Sequence, residues 1–230
     1  MNTKLQALIT SLDLTIKDEH LIENAFVHRS YLNESFKFDN SNERLEYLGD
    51  AVLELATSHF LYATYPDFQE GMLTNLRAAL VRTESLGETA ALLGFDKLLL
   101  MSKGEEATGG RSNRSILADT FEAFLGAIYL DHGYDSCVAI LAKHLFTKAA
   151  TVLSTATYKD NKSLLQEIAQ SRYKSTPMYN LISESGPDHD KQFVMQVGIG
   201  QELYGQGSGK SKQAAQEDAA KNTLEMITHS

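Results

Sequence analysis

The 230-residue sequence has one cysteine, no apolar run long enough to cross a bilayer, and fewer basic than acidic residues. Cys137 alone excludes an internal disulfide and fits a reducing compartment; between Ser136 and Val138, in an apolar stretch, it reads as packing rather than a reactive thiol. The longest apolar runs, LLL at 98–100 and AALL at 90–93, fall far short of a membrane span, so no membrane association is expected. The start, MNTKLQALITSLDLTIKDEH, lacks a basic head, a continuous hydrophobic segment and a small-residue cleavage site, so no export signal is expected. These absences favour a cytoplasmic protein. The shortage of positive charge, 21 Lys and Arg against 30 Asp and Glu, argues against unspecific nucleic-acid binding, which neutralises phosphates with cations. The imbalance is local: 13 basic against 21 acidic residues precede position 158, and 8 against 9 follow.

What is present divides in two. Residues 1–150 carry apolar residues at spacings of three and four in segments 4–12, 19–27, 43–63, 71–93, 114–131 and 135–149, which predicts an all-α domain. Turn-like pieces separate them at 32–42, 65–71 and 103–113. Residues 151–159, small and polar, read as a linker. From 160 to 230 the pattern changes: a helix over 162–172, strands at 179–185 and 191–199 joined by the turn GPDHD, a short third strand ELYGQG, then GSGKS leading into a helix from 212. The order α-β-β-β-α predicts a small α+β domain with both helices on one face of an antiparallel sheet.

The stretch NERLEYLGDAVLELA, 42–56, is a core-like helix with four carboxylates. At about 100° per residue, Glu43, Glu46, Asp50 and Glu54 fall within a stripe of roughly 80°. Gly49 costs a helix interior about 1 kcal/mol relative to alanine, a cost that close approach of another backbone would offset. The helix at 114–131 repeats the device: Asp119 and Glu122 share a face, and Ala118, Ala123, Gly126 and Ala127 are small enough to admit a neighbour. If the two helices cross, Glu46, Asp50, Asp119 and Glu122 converge. Their mutual repulsion would then be relieved by a hard divalent cation held by oxygen alone, Mg²⁺ or its substitute Mn²⁺. Two plainer readings stand beside this: a solvated acidic face, which suits Glu54, and an acidic helix start at Asp119 and Glu122.

ERLEYLGDAVL at 43–53 resembles the signature of the ribonuclease III family, and ILADTFEAFLGAIYLD at 116–131 resembles its second acidic helix. HRSYLNE at 28–34 and EGMLTNLRAALV at 70–81 are similar to further family segments, and 160–228 to its carboxy-terminal double-stranded-RNA-binding domain. The resemblance implies a homodimeric endonuclease of double-stranded RNA that needs no small-molecule cofactor. Its products would carry 5′ phosphates, 3′ hydroxyls and short 3′ overhangs, in processing of ribosomal RNA precursors and other structured transcripts. It places the metal ligands at Glu46, Asp50, Asp119 and Glu122, with Asp50 and Glu122 as the catalytic pair. It adds Glu43 and Glu70 as accessory acidic groups, and Tyr47 as a dimer contact.

In the second domain the resemblance implies RNA contacts at Gln166, Glu167, His189, Lys210 and Lys212. One departure stands out: where many relatives have Lys-Lys-x-Ala-Lys at 212–216, this chain has Lys212-Gln213-Ala214-Ala215-Gln216, which implies weaker, less salt-sensitive binding. Arg111 and Arg114 beside a Gly-Gly loop are either a solvated turn or phosphate contacts near the cut site, and Arg77 and Arg82 either phosphate contacts or partners of acidic neighbours. None of the seven histidines has zinc-type spacing with the cysteine, and His28 reads as structural. Two competing functions remain on this reading. One is a non-catalytic RNA-binding protein, which the four filled acidic positions oppose. The other is a hydrolase of small phosphate esters, which leaves the second domain without a purpose.

Overall fold

The computed structural model describes residues 3–35, 37–154, 161–187 and 191–228. The chain divides into two compact units, Met1–Tyr158 and Lys159–Ser230. The described part of the first is helical: α1 (Thr3–Ser11), α2 (Glu19–Asn24), α3 (Glu43–Thr64), α4 (Glu70–Val81), α5 (Thr83–Leu92), α6 (Lys103–Ala107), α7 (Arg114–His132), α8 (Tyr134–His144) and α9 (Ala149–Ser154).

α7 is the central element. Leu117, Phe121, Phe124, Leu125 and Ile128 are all buried, and Phe124 meets Phe95 edge-on at 5.3 Å between ring centroids. Phe26 completes the aromatic cluster, 5.0 Å from Phe95. At its far end Asp131 is buried, and its carboxylate accepts the backbone N–H groups of Lys17 (3.0 Å) and Asp18 (2.9 Å). Those two donors offset the cost of burying the charge and pin the segment before α2 to α7.

Three local expectations are corrected. The apolar period over 71–93 is two helices, because at Arg82 the backbone turns extended (φ −64°, ψ 152°). The break lets Leu76 and Leu80 pack with Leu61 and Ala149, while Leu86 and Ala90 join the main core. The 103–113 stretch is not only turn: Ser102 caps α6 by accepting the Glu105 N–H at 3.1 Å. The expected linker at 151–159 begins as helix, since α9 runs to Ser154 and packs Val152 and Leu153 against the Leu61–Leu76–Leu80 cluster. Among the described residues one stretch, Tyr134–Ser154, is long and apolar enough to cross a membrane, at mean hydropathy 1.3. It consists of α8, a short turn and α9, and Cys137, Ile140, Leu141, Leu145, Phe146 and Ala149 are buried, so its apolar content serves the core.

The second unit has α10 (Asn161–Ile168), strands β1 (Met178–Ser185), β2 (Gln192–Ile199) and β3 (Glu202–Gly209), and α11 (Lys212–Thr228). The strands form an antiparallel sheet in sequential order. Met195, Val197 and Ile199 of β2 bury one face against Leu165, Ala215, Ala219 and Leu224. GSG, read as the loop after a short third strand, belongs to the strand itself. Gly205, Gly207 and Gly209 alternate along β3, and a Cβ on any of them would run into the α11 backbone at Thr223, Ala219 or Ala215. Glycine every second residue thus meets a small α11 residue every fourth, and strand and helix touch backbone to backbone. One of the two edge strands, β3, is also tied down by α11 side chains. Asp218 accepts the Ser208 N–H at 2.8 Å, and Asn222 donates to the Gln206 carbonyl at 2.7 Å.

Candidate metal centre and nucleic-acid interface

The crossing of α3 and α7 is set by two glycines. A Cβ on Gly49 would overlap the Glu122 carbonyl, and a Cβ on Gly126 would overlap that of Leu45. Any side chain at either position would hold the helices apart, so the cost of Gly49 in a helix interior is offset by backbone contact. The approach brings one acidic face against the other. Carboxylate oxygens of Glu46, Asp119 and Glu122 lie within 4.8 Å of one another. Asp119 and Glu122 sit in the second and third turns of a helix that begins at Arg114 with Asn113 as its cap, so they are not helix-start residues.

The electrostatics follow from that geometry. Burial, then repulsion from Asp50, Asp119, Glu46 and Glu54, pushes the Glu122 carboxyl up to about 8. Glu46 is also raised, by burial and by Asp119, Glu43 and Asp50. Burial raises Asp119, and His28 opposes the shift. Three neighbouring oxygen donors that repel one another fit a hard divalent ion better than zinc.

The remaining sequence candidates divide. Asp50 lies outside the triad and is exposed, yet it is the largest like-charge influence on Glu122, which puts it beside the cluster. Glu43 stands on the outer rim, 3.9 Å from the Arg29 guanidinium. Glu54 is not a plain solvated face: it pairs with Arg77 at 2.9 Å, and Arg77 also donates to Ser58 at 2.7 Å. Glu70 opens α4, accepts from Thr74 at 3.2 Å, and is not among the triad. Tyr47 is 83% exposed. Arg111 is neither a phosphate contact nor a solvated turn. Its guanidinium donates to the carbonyls of Asp96 and Leu99, each at 2.9 Å, and to Glu106 at 2.6 Å, so it locks the loop before α7. Spacing concealed two further residues at the site, His28 and Glu105, which reach the same cleft from segments far apart in sequence.

In the second unit Gln166 lines a cleft with Lys162, Ser163, Ser211, Gln213 and Glu217, where α10 meets the start of α11. Lys162, which the sequence reading passed over, donates to Gln216 at 2.7 Å and lies 5.2 Å from the Tyr179 ring centroid. Lys212 is exposed, 5.9 Å from the Phe193 ring centroid, and Lys210 is exposed before it. Glu167 lies on α10. His189 lies outside the described residues.

Comparison with known proteins finds the same division. The family described as Ribonuclease-III-like matches residues 18–149, and the double-stranded RNA binding motif matches 161–227. The chain is 48% identical to ribonuclease 3 of Syntrophobacter fumaroxidans, over 97% of this chain and 94% of that one. It is 46% identical to ribonuclease 3 of Oceanobacillus iheyensis, over 98% and 99%. Among solved structures it is similar to a nuclease domain of ribonuclease III from Campylobacter jejuni, described for structural flexibility in its region involved in dimer formation. That match has a TM-score of 0.58 and 38% identity, covering 62% of this chain and 96% of that one.

Proposed function

Because the chain belongs to the ribonuclease III family of double-stranded-RNA endoribonucleases, we propose that Glu46, Asp50, Asp119 and Glu122 hold Mg²⁺ and cleave both strands of an RNA duplex. The convergence of three carboxylates at the α3–α7 crossing carries this reading. When bound, the cation supplies Lewis-acid stabilisation of charge on phosphoryl oxygens and activates water for in-line attack. The protein does the rest. The backbone-to-backbone crossing fixes Glu46 against Asp119 and Glu122, so the ligand set is organised before substrate arrives. Asp50, exposed at the edge, faces the incoming strand and with Glu122 forms the catalytic pair. Glu122, with its carboxyl raised to about 8, must give up a proton to serve as a ligand, so assembly of the site is favoured as pH rises.

The protein acts as a homodimer. Tyr47, Leu55 and Tyr62, exposed by 83%, 60% and 74%, fall within about 80° on α3, an apolar stripe on the face beside the acidic line. The similar Campylobacter jejuni nuclease domain is described with a region involved in dimer formation, which supports a dimer here. Glu43 and Glu70 are accessory acidic groups along the RNA path. In the second unit Gln166, Glu167, His189, Lys210 and Lys212 contact duplex RNA by its A-form shape and hydroxyls rather than its sequence. Products carry 5′ phosphates and short 3′ overhangs. The setting is the cytoplasm, in maturation of ribosomal RNA precursors and other structured transcripts.

The deciding experiment is cleavage of a long perfect RNA duplex with Mg²⁺, alongside EDTA and Glu122→Gln controls. Short duplex products with 5′ phosphates, absent from both controls, are expected. Binding without cleavage by the unaltered chain would replace this reading with a non-catalytic one.

A further inference from the structure

Beside the acidic triad lies a cleft of ≈ 570 Å³, lined among others by His28, Arg29, Glu43, Glu46, Glu105 and Asp119. Its wall is built by pairing two distant segments. Val27 bridges Leu100, the His28 N–H donates to the Leu100 carbonyl at 2.9 Å, and the Ser102 N–H donates to Ser30 Oγ at 3.0 Å. This frame fixes the His28 ring. The Ser30 N–H donates to Nδ1 at 3.3 Å, and Ser30 Oγ lies 2.8 Å from the same nitrogen. With Nδ1 accepting the Ser30 N–H, the neutral ring carries its proton on Nε2. Among the described residues Nε2 has no hydrogen-bond partner, and His28 lines the cleft, so its N–H is available to a group bound there.

The charge around that donor selects what it can meet. Four carboxylates, Glu43, Glu46, Glu105 and Asp119, line the cleft against one guanidinium, Arg29, itself 3.9 Å from Glu43. A phosphate pressed into this wall would meet like charge. A hydroxyl would not: it can donate to a carboxylate and accept from Nε2–H at once. Duplex RNA presents 2′-hydroxyls along its shallow minor groove, and duplex DNA does not. We propose that His28 is a specificity-determining residue whose Nε2–H donates to a ribose 2′ oxygen of the strand lying in this cleft, so that the nuclease unit itself distinguishes RNA from DNA. This rests on the endoribonuclease reading above.

The test is a set of RNA duplexes, each with one 2′-deoxynucleotide stepped across the cut site, cleaved by the full chain, His28→Ala and Ser30→Ala. In the unaltered protein one position should cost roughly 3- to 10-fold in rate, the scale of one neutral hydrogen bond. In His28→Ala the all-ribose duplex should be slowed by that factor, and the deoxy substitution at that position should cost nothing more. Ser30→Ala keeps the ring but loosens it, and should show a smaller loss confined to the same nucleotide; it carries the test if His28→Ala does not fold. Equal slowing of every substrate by both variants would make His28 a structural residue and overturn the proposal while leaving the endonuclease intact. An unaltered protein that cleaves none of the duplexes would overturn both.

Discussion

Gly49 on α3 and Gly126 on α7 face each other across the crossing, with the Gly49 N only 3.1 Å from where a Gly126 Cβ would stand. The acidic cluster exists because of this contact. Neither helix could carry its carboxylates to the other with an ordinary side chain between them.

Gly49→Ala therefore sets two effects of opposite sign against each other. Helix propensity alone would stabilise by about 1 kcal/mol. The added Cβ would meet the Glu122 carbonyl, a backbone group that cannot rotate away, and overpacking of this kind costs about 1–3 kcal/mol. The clash wins, and chemical denaturation should show net destabilisation. Cleavage should fall further than stability, by roughly 100-fold, because the shift falls on Glu122 itself. A more stable and fully active variant would show that the helices do not cross this closely.

The raised Glu122 carboxyl makes a pH prediction for the metal-free protein. Its folded value of about 8 lies above the ordinary 4.5, so between those limits the folded chain keeps a proton that the unfolded chain has released. The stability tied to that proton is fully present below about pH 4.5 and is lost as pH rises through 8. Glu122→Gln should remove the slope and be more stable near pH 9 by on the order of 2 kcal/mol, allowing for solvent screening. Thermal unfolding in EDTA at successive pH values measures it, and an unchanged slope in the variant would assign it to another group.

Arg111→Ala should destabilise without touching RNA. It leaves the Asp96 and Leu99 carbonyls without their donor, a loss of about 1–3 kcal/mol. The dependence of RNA affinity on salt should not change. A slope lower by about one unit would return Arg111 to phosphate contact.

Restoring lysine at 213 and at 216 should not be equivalent. Gln213 lines the α10–α11 cleft, so Gln213→Lys adds a cation there and should steepen the salt dependence of duplex binding by about one unit. Gln216 accepts the Lys162 ammonium at 2.7 Å, so Gln216→Lys sets one cation against another and should yield a smaller change. Filter binding at several salt concentrations separates the two. Equal steepening would mean that Lys162 plays no part at this surface.

How far the sequence led depends on the range of each signal. The 3.6-residue period announced α3 and α7 to within a residue, and Gly49 with the small residues of α7 announced their close approach, because both are written within one helix. The break at Arg82 has no proline or glycine; it comes from α4 and α5 packing on different neighbours. The Arg111 clamp needs carbonyls at 96 and 99, and the orientation of His28 needs Ser30 held by residue 102. Such contacts join backbone groups of distant segments, and residue identity alone does not reveal them. The alternating glycines of β3 were visible as letters, but their meaning required the matching Ala215, Ala219 and Thr223 of α11.

The division of the acidic cluster between α3 and α7 also governs when the chain becomes dangerous to RNA. A ribosome that has made everything up to residue 118 has produced Glu46 and Asp50 but neither Asp119 nor Glu122. The hydrophobic partner that would bury α3 is missing too, because Phe121, Phe124 and Ile128 are still to come. A chain that ends before Asp119 is therefore inert toward the messenger being read. Nuclease competence arrives together with the packed core, since the same helix completes both.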